Sequence, residues 1–448
     1  MQKTKVLMFG WEFPPVINGG LGVACLGLCK ALASKVDLQM VIPKCEPGFT
    51  MEGMQLTGLN EVSIKELKTE IEKKYYKDVN IREIEYVETS LSPYMSNIEK
   101  QWVAEVRDYF MENTVSTINE EKEYFEIDEL YGGDVIKKVL QFAKIAVRLG
   151  LTKDFDVIHA HDWMTYIPAM QLKALTGKPL VLHVHSLEYD RGGEESRNWV
   201  YELEKKALET ADLVIPVSHY TGTVIHKHYG IDKLKIYPVH NGIDDVHHSE
   251  HQKRFPEDLV LFLGRVTMQK GPKFFVETAI KVLKYYPNVR FVLAGTGDLT
   301  NELIDLVSSQ RIGHKFHFTG FLNKKRVNEL LAMSDVYCMP SVSEPFGLSA
   351  VEAVQYEIPV VISKQSGAAE VLRGSLISDF WDIDKTANYI IGLLTHENLR
   401  KELVKEANID LKKISWHDAA DKVTEAYQLV MDKAPQPPKG EQVDLQTA

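Results

Sequence analysis

The sequence predicts an α/β protein made of two doubly wound domains, each a parallel sheet covered by helices on both faces. Its 448 residues exceed what one ordinary core fills, so two domains are expected. Short apolar runs alternate with amphipathic stretches along both halves, the pattern of strands joined by crossover helices. Polar groups and glycines collect where these runs end, the edge at which open α/β sheets place their ligands.

Composition narrows the function classes. Charged residues make up 26% and hydrophobic residues 44%, ordinary for a soluble globular chain. A net charge of −11 argues against a nucleic-acid partner and against docking on an anionic membrane. Cys25, Cys29, Cys45 and Cys338 show no C-x-x-C spacing and predict no disulfide framework, which suits a reducing compartment. The first apolar run stops at Gly10, too early for a signal peptide or a bilayer span, so a soluble cytoplasmic protein is expected.

The first domain is expected over residues 1–250. Lys5–Phe9 reads as a buried strand, followed by W-E-F-P-P-V-I-N-G-G-L-G and an amphipathic pattern to about Ser34. Strand, glycine turn and helix form the phosphate-loop arrangement of a Rossmann-like domain, in which the amides around Gly19, Gly20 and Gly22 face an anion. The loop is not G-x-G-x-x-G, so a plain structural turn is the competing reading. A strand over 37–43 precedes an acidic insertion at about 45–132. Within it, residues 61–130 carry 18 acidic and 9 basic side chains, a net of −9. A strand over 79–86 and helices around 96–114 are expected there. Trp102, Tyr109, Phe110, Tyr124, Phe125 and Tyr131 recur at spacings that favour a local core over sugar stacking.

After a helix over 133–150, the strand 156–161 ends in His159, His161 and Asp162. The strand 179–184 ends in His183 and His185, with Ser186 next. Two strands finishing in histidine or aspartate point to a shared cleft rather than to satisfied core histidines. Asp154-Phe-Asp156 imitates a metal-binding D-x-D, but Asp156 opens an apolar strand and the structural reading prevails. A charged helix over 191–211, a strand over 213–218, Ser218 capping a helix from His219, and a last strand over 235–239 complete the half. H-N-G-I-D at 240–244 is a turn. The histidine-rich stretch 245–251 lacks a ligand spacing and reads as a solvated loop.

The second domain is expected over 251–414, its strands at 260–264, 290–295, 316–321, 335–340 and 359–363. Its first turn, G-R-V-T-M-Q-K-G, sets Arg265 and Lys270 at a strand's carboxyl end, where two cations can neutralise a diphosphate. Gly295 and Gly297 close the next strand, at a place for a nucleotide base. The strand 335–340 leads into S-E-P-F-G-L-S-A-V-E, residues 343–352. Pro345 suits a first helical turn, Gly347 suits a close backbone approach, and the helix-start amides of Phe346, Gly347, Leu348 and Ser349 attract phosphate. Glu344 and Glu352 bracket that turn. A capped helix with two exposed carboxylates is the plain alternative. Glu370 begins another helix, as a sugar contact or as a first-turn acid. A helix over 415–434 and a disordered tail over 435–448 end the chain.

These motifs, in this order, resemble retaining glycosyltransferases of the GT-B fold, of the glycogen and starch synthase kind. The resemblance rests on N-G-G-L-G, H-A-H-D-W, H-V-H-S, H-N-G-I-D, G-R-V-T-M-Q-K-G and the two glutamates with seven residues between them. It implies that Glu344 contacts the donor sugar and Glu352 the nucleotide ribose, and that Arg265 and Lys270 are the family's basic pair. Asp162 and His185 then lie against the reacting sugar. The resemblance also implies a final helix that crosses back onto the first domain. Two departures stand out: Ser186 replaces the usual asparagine, and Ile17 replaces the lysine that helps those enzymes hold ADP-glucose.

The expected reaction moves glucose from a nucleoside diphosphate glucose to an α-1,4-glucan, with ADP and UDP both open as nucleotides. Charge supplies the logic: Arg265, Lys270 and helix-start amides stabilise the departing diphosphate, so no metal or other cofactor is expected. A positive sugar centre develops beside Asp162, Glu344 and the backbone near His185. No convincing nucleophile is present for a covalent intermediate. A transferase for another sugar or acceptor, a sugar-nucleotide epimerase, a pyridoxal-phosphate phosphorylase and a non-catalytic glucan-binding protein remain the alternatives.

Overall fold

The computed structural model describes residues 3–14, 19–67, 70, 125, 127, 129–132, 135–244, 253 and 255–433. Among them, strands gather into two separate six-stranded sheets. The first holds β1 (Lys5–Phe9), β2 (Asp37–Ile42), β3 (Met54–Gly58), β4 (Val157–His161), β5 (Leu180–Val184) and β6 (Leu213–Pro216). Its helices are α1 (Gly20–Leu32), α2 (Val135–Thr152), α3 (Tyr166–Thr176), α4 (Glu188–Gly192), α5 (Trp199–Thr210) and α6 (His219–Tyr229). The second holds β7 (Asp258–Leu263), β8 (Val289–Ala294), β9 (Phe316–Gly320), β10 (Val336–Met339), β11 (Val360–Ser363) and β12 (Leu376–Ser378). Around it lie α7 (Pro272–Tyr285), α8 (Thr300–Ser309), α9 (Lys324–Ala332), α10 (Leu348–Gln355), α11 (Ala368–Val371), α12 (Ile383–Thr395) and α13 (Glu397–Leu411). A final helix, α14, spans Trp416–Lys433.

The sheet orders are β3-β2-β1-β4-β5-β6 and β12-β11-β10-β7-β8-β9, with every neighbouring pair parallel. Counted from each sheet's own first strand, both are the Rossmann order 3-2-1-4-5-6. The chain reverses its winding beside β1 and β4 in one sheet, and beside β7 and β10 in the other. A crevice opens at each reversal, outside the carboxyl ends of the strands. The central strands are mostly apolar on both faces because helices cover both, with buried histidines in β4 and β5, and one hydrophobic cluster packs on each face of each sheet.

Helix α14 belongs to the first domain's core. Trp416, Ala420, Val423 and Tyr427 are buried with Val6, Met8, Cys25 and Leu28. A Cβ on Gly27 of α1 would fall 2.1 Å from the Trp416 ring, so this glycine is the groove the indole fills. Tyr427 reaches the sheet itself, its hydroxyl 2.6 Å from His159 Nδ1. Among the described residues no helix is long and apolar enough to cross a membrane.

Several local expectations change. Met54–Gly58 pairs with β2 as an edge strand, so the sheet takes part of the stretch assigned to the acidic insertion. Residues 235–239 form no regular strand: a 3₁₀ turn over Lys233–Lys235 leads into one bridge, Ile236 to Val214. Tyr237 and Val239 donate to the Val214 and Pro216 carbonyls, but Pro216 lacks the N–H that would return the next bond and continue that ladder. The charged helix expected over 191–211 is two helices, α4 and α5, separated by Gly193 with φ +80°. Helix α10 starts at Leu348, so Pro345 stands outside its first turn and Glu352 lies a little over one turn in. Ser218 caps α6, its hydroxyl accepting the Thr221 N–H. The strand expected over 79–86, the helices around 96–114, Ile17, the histidine-rich stretch 245–251 and the tail over 435–448 lie outside the described residues.

Candidate functional site

The carboxyl ends of the two sheets meet. A Cβ on Gly20, at the start of α1, would lie 3.8 Å from Leu348 Cδ1 of α10 in the other domain. Ser343 donates to Asp190 of α4 and stands 2.9 Å from the Tyr220 hydroxyl of α6. Thr221 donates to the Pro345 carbonyl at 3.3 Å.

On the first domain's side, β4 runs straight into Asp162. This residue holds φ +57° and ψ 168°, a backbone state uncommon for any side chain but glycine. The bend turns its carboxylate under the end of β5, where Oδ1 accepts the His185 N–H at 2.7 Å and the Ser186 N–H at 3.4 Å. Burial raises its pKa to about 7, against the lowering pull of those backbone bonds and of Arg191. Arg191 is clamped between Glu188 and Glu204, and its third nitrogen donates to Ser186 at 3.3 Å. The loop that carries His185 is thereby held from both sides.

Four imidazoles lie behind this loop. His159, His161, His183 and His185 alternate along β4 and β5 and just past it on one face, so their rings gather with centroid distances of 4.5–5.4 Å. His161 Nδ1 is 2.8 Å from His185 Nε2. Burial lowers all four pKa values, to about 3 for His159 and His185, and the rings are neutral at physiological pH.

On the second domain's side, Lys270 Nζ donates to Glu344 Oε2 at 2.6 Å, and Ser341 Oγ donates to the same oxygen at 3.2 Å. Backbone bonds align the two loops that carry them: the Val342 and Ser343 N–H groups both donate to the Gln269 carbonyl. Arg265 is exposed beside them and donates to Gln269 Oε1 at 3.3 Å. Gly347 adopts φ +99°, which turns the chain into α10, and no side chain caps the helix start. Its first amides therefore point out of the helix beside Lys270 and Glu344, an anion-binding arrangement. Ser349 Oγ is bonded to the Tyr337 hydroxyl at 2.7 Å, and Glu352 pairs with Lys324.

Two of the residues expected at the donor site also have structural parts. Phe346 is 3% exposed and packs in the core, its ring 6.0 Å from the His240 ring of the hinge, so only its backbone faces the loop. Gly295 has φ +139°, and a Cβ there would come within 1.9 Å of the Gly264 carbonyl. It is needed where the β7 and β8 loops cross. Glu370 spans the domain junction instead of opening toward the cleft. It accepts the His219 and Tyr220 N–H groups at the start of α6 and sits 2.7 Å from His240 Nε2. Burial raises its pKa, but these bonds outweigh it and the net shift is downward.

Sequence reading did not single out Glu12 or Asp190, and it assigned Tyr131 to a local core. Glu12 Oε2 accepts the Gly19 N–H at 3.1 Å, and its other oxygen takes the Tyr131 hydroxyl, so the last aromatic before α2 is bound to the glycine loop. The W-E-F-P-P stretch was the available signal: an acid between apolar residues at a strand end. Asp190 is buried at the domain junction; its raised pKa has burial as its main cause, and Glu344 adds to it. Among the described residues three groups come within metal-ligand reach: Cys25, His161 and His185; His159, His161 and His183; and His219, His240 and Glu370. Imidazole lone pairs lie in the ring plane, so the stacked His159, His161 and His183 do not converge on one ion. The third group is the junction already bonded through Glu370. The D-x-D pair is structural: Asp156 accepts the Lys5 N–H at 2.9 Å and Asp154 pairs with the Lys5 side chain.

Comparison with known proteins bears on this geometry. Residues 244–410 match the family described as Glycosyl transferases group 1, and residues 123–247 match Glycosyltransferase Family 4. An uncharacterized glycosyltransferase of Methanocaldococcus jannaschii is 27% identical over 96% of this chain and 99% of its own. A glycogen synthase of Mycobacterium tuberculosis is 25% identical over 82% of this chain and 80% of its own. The catalytic domain of starch synthase IV from Arabidopsis thaliana, solved with ADP and acarbose, superimposes with a TM-score of 0.67 at 16% identity, covering 96% of this chain and all of that one. Two adjoining glycosyltransferase domains folded as facing Rossmann-like halves identify the chain as a GT-B glycosyltransferase, similar to glycogen synthases at low identity.

Proposed function

We propose that this glycosyltransferase moves glucose from a nucleoside diphosphate glucose to the non-reducing end of an α-1,4-glucan, with retention of configuration. The observation that carries the reading is the ion pair of Lys270 with Glu344, set beside the uncapped start of α10 on a loop that Ser343 ties to Asp190, just after His185 in the chain. In the ground state the diphosphate lies against Lys270, Arg265 and the first amides of α10. As the glycosidic bond breaks, negative charge grows on the leaving phosphate, where these donors are already in place. Positive charge grows on the sugar's anomeric carbon, faced by the Asp162 and Glu344 carboxylates. The acceptor hydroxyl attacks from the face the diphosphate leaves and passes its proton to the departing phosphate oxygen. Glu352 takes the ribose, in exchange for Lys324.

The two cations and the helix start supply the counter-charge, and the proposed reaction uses no metal ion or organic cofactor. A glycogen synthase among the relatives and a starch synthase among the solved folds support a glucan acceptor. Four free, buried cysteines fit work in the cytoplasm on a soluble donor and a soluble acceptor. The test is incorporation of donor glucose into precipitable glycogen, followed by NMR of the new linkage. An α-1,4 product from an α-linked donor, formed equally in chelator, supports the reading. A β-linked product, or transfer to lipid but not to glucan, overturns it. Isomerisation of the donor without any acceptor would instead make the protein an epimerase.

A further inference from the structure

The reading above places His185 against the transferred sugar, and the buried histidines behind it bear on which of its nitrogens carries the proton. His161 is fully buried. Its Nδ1 lies 2.8 Å from His185 Nε2, with ring centroids 5.1 Å apart and planes 29° from parallel, the edge-to-edge geometry of an N–H···N bond. Its Nε2 is buried and has no hydrogen-bond partner among the described residues. Cys25 Sγ comes within 4.8 Å of these rings without bonding to them.

A neutral imidazole has one N–H and one lone pair, so the pair admits two arrangements. In one, His161 carries its proton on Nε2 and leaves a buried N–H unpaired. In the other, His161 carries it on Nδ1, donates to His185 Nε2, and leaves only a lone pair unpaired. Unpaired buried N–H groups are the rarer and more costly case. The second arrangement therefore wins, and it dictates the state of the next ring. With Nε2 accepting, His185 must hold its proton on Nδ1. That nitrogen is its accessible one, since His185 is half-buried and Nδ1 is absent from the buried unpartnered atoms.

We propose that His161 is a positioning residue that fixes His185 as the Nδ1–H tautomer, so that His185 presents an N–H to the cleft and binds a hydroxyl oxygen of the transferred sugar as a donor. It follows that His185 is not the base that activates the acceptor. Burial of both rings, which keeps them neutral, agrees with this state.

The test uses the full chain with isotope-labelled histidine and a long-range proton–nitrogen correlation at neutral pH. His185 is assigned by loss of its signals in His185→Asn. A pattern with the proton on Nδ1 supports the proposal, and one with the proton on Nε2 overturns it. This readout needs no substrate, so it stands apart from the choice of donor and acceptor. Kinetics give a second readout. In His161→Asn the side-chain amide takes the place of Nδ1–H, and kcat should stay within a few-fold of wild type. In His161→Phe kcat should fall on the order of 10- to 100-fold, as for other groups that orient a ligating imidazole, with KM little changed. Equal kcat in the two variants would overturn the proposal, because a merely structural His161 would not distinguish them. A wild type inactive on glucose donors would refute the glucan reading and leave the tautomer result standing.

Discussion

Replacing Lys270 by methionine tests what its ion pair does. The side chain keeps its length and loses its charge. Glu344 is 5% exposed, and without Lys270 its Oε2 retains one neutral donor, Ser341, at 3.2 Å. Removing one partner of a buried pair costs about 3–5 kcal/mol when both are enclosed. Lys270 is 22% exposed at its side chain, so water screens part of this and about 2 kcal/mol is the expected loss of stability. The catalytic loss should be larger: removing one preorganised donor to a developing anion lowers kcat by about 10²–10³-fold. Adding Glu344→Gln neutralises the stranded carboxylate. The double variant should regain most of the stability and none of the rate. Urea unfolding followed by circular dichroism reads the first quantity, and steady-state release of nucleoside diphosphate reads the second. If rate and stability return together in the double variant, the pair is structural and the proposed role of Lys270 is wrong.

Three further outcomes follow from the same geometry. Ionised Asp162 is required beside the positive sugar centre and its pKa is raised to about 7, so kcat should climb with pH and level off above about 8. Asp162→Asn should remove that limb, and a flat wild-type profile from pH 5.5 to 8.5 would count against the assignment. In stability the sign is reversed. A raised carboxyl pKa favours the fold below the unfolded value near 4, and that contribution is lost as pH rises through 7. The buried histidines act oppositely: their folded pKa values are depressed, so their contribution is full above about pH 6.5 and is lost as pH falls toward 3. Among the described residues His183 has neither ring nitrogen bonded, and His183→Leu should make the protein more resistant to acid by about 1–3 kcal/mol at pH 5, read by urea midpoints. Gly27→Val places methyl groups inside the Trp416 ring and should dislodge α14. The expected loss exceeds about 3 kcal/mol and comes with a shift in tryptophan emission, whereas an unchanged midpoint would contradict the packing described.

Where hydrophobic alternation was strong, the sequence foretold the structure closely. Lys5–Phe9, Leu180–Val184 and the strand leading to Glu344 are apolar on both faces because helices cover both sides of the sheet, and that pattern survives in one dimension. The edges did not. Met54–Gly58 and Leu376–Ser378 are five and three residues long, and neither has the fully buried run that marks a central strand. The cleft was legible as polar residues at strand ends. What those residues touch was not, because each contact crosses between distant segments: Asp162 to the His185 amide, Glu12 to Tyr131, Ser343 to Asp190. Phe346 shows the limit most clearly. Its position in S-E-P-F-G gave no sign that the ring turns toward the hinge and away from the phosphate-binding turn.

The central claim is that this cleft transfers glucose from a nucleotide donor to a glucan. Release of nucleoside diphosphate from UDP-glucose and from ADP-glucose, each with and without glycogen, tests it most directly. Glycogen-dependent release with one nucleotide preferred, abolished in Glu344→Ala and Lys270→Met that still fold, is the predicted result. Equal release with and without glycogen, or undiminished release in those variants, would contradict it.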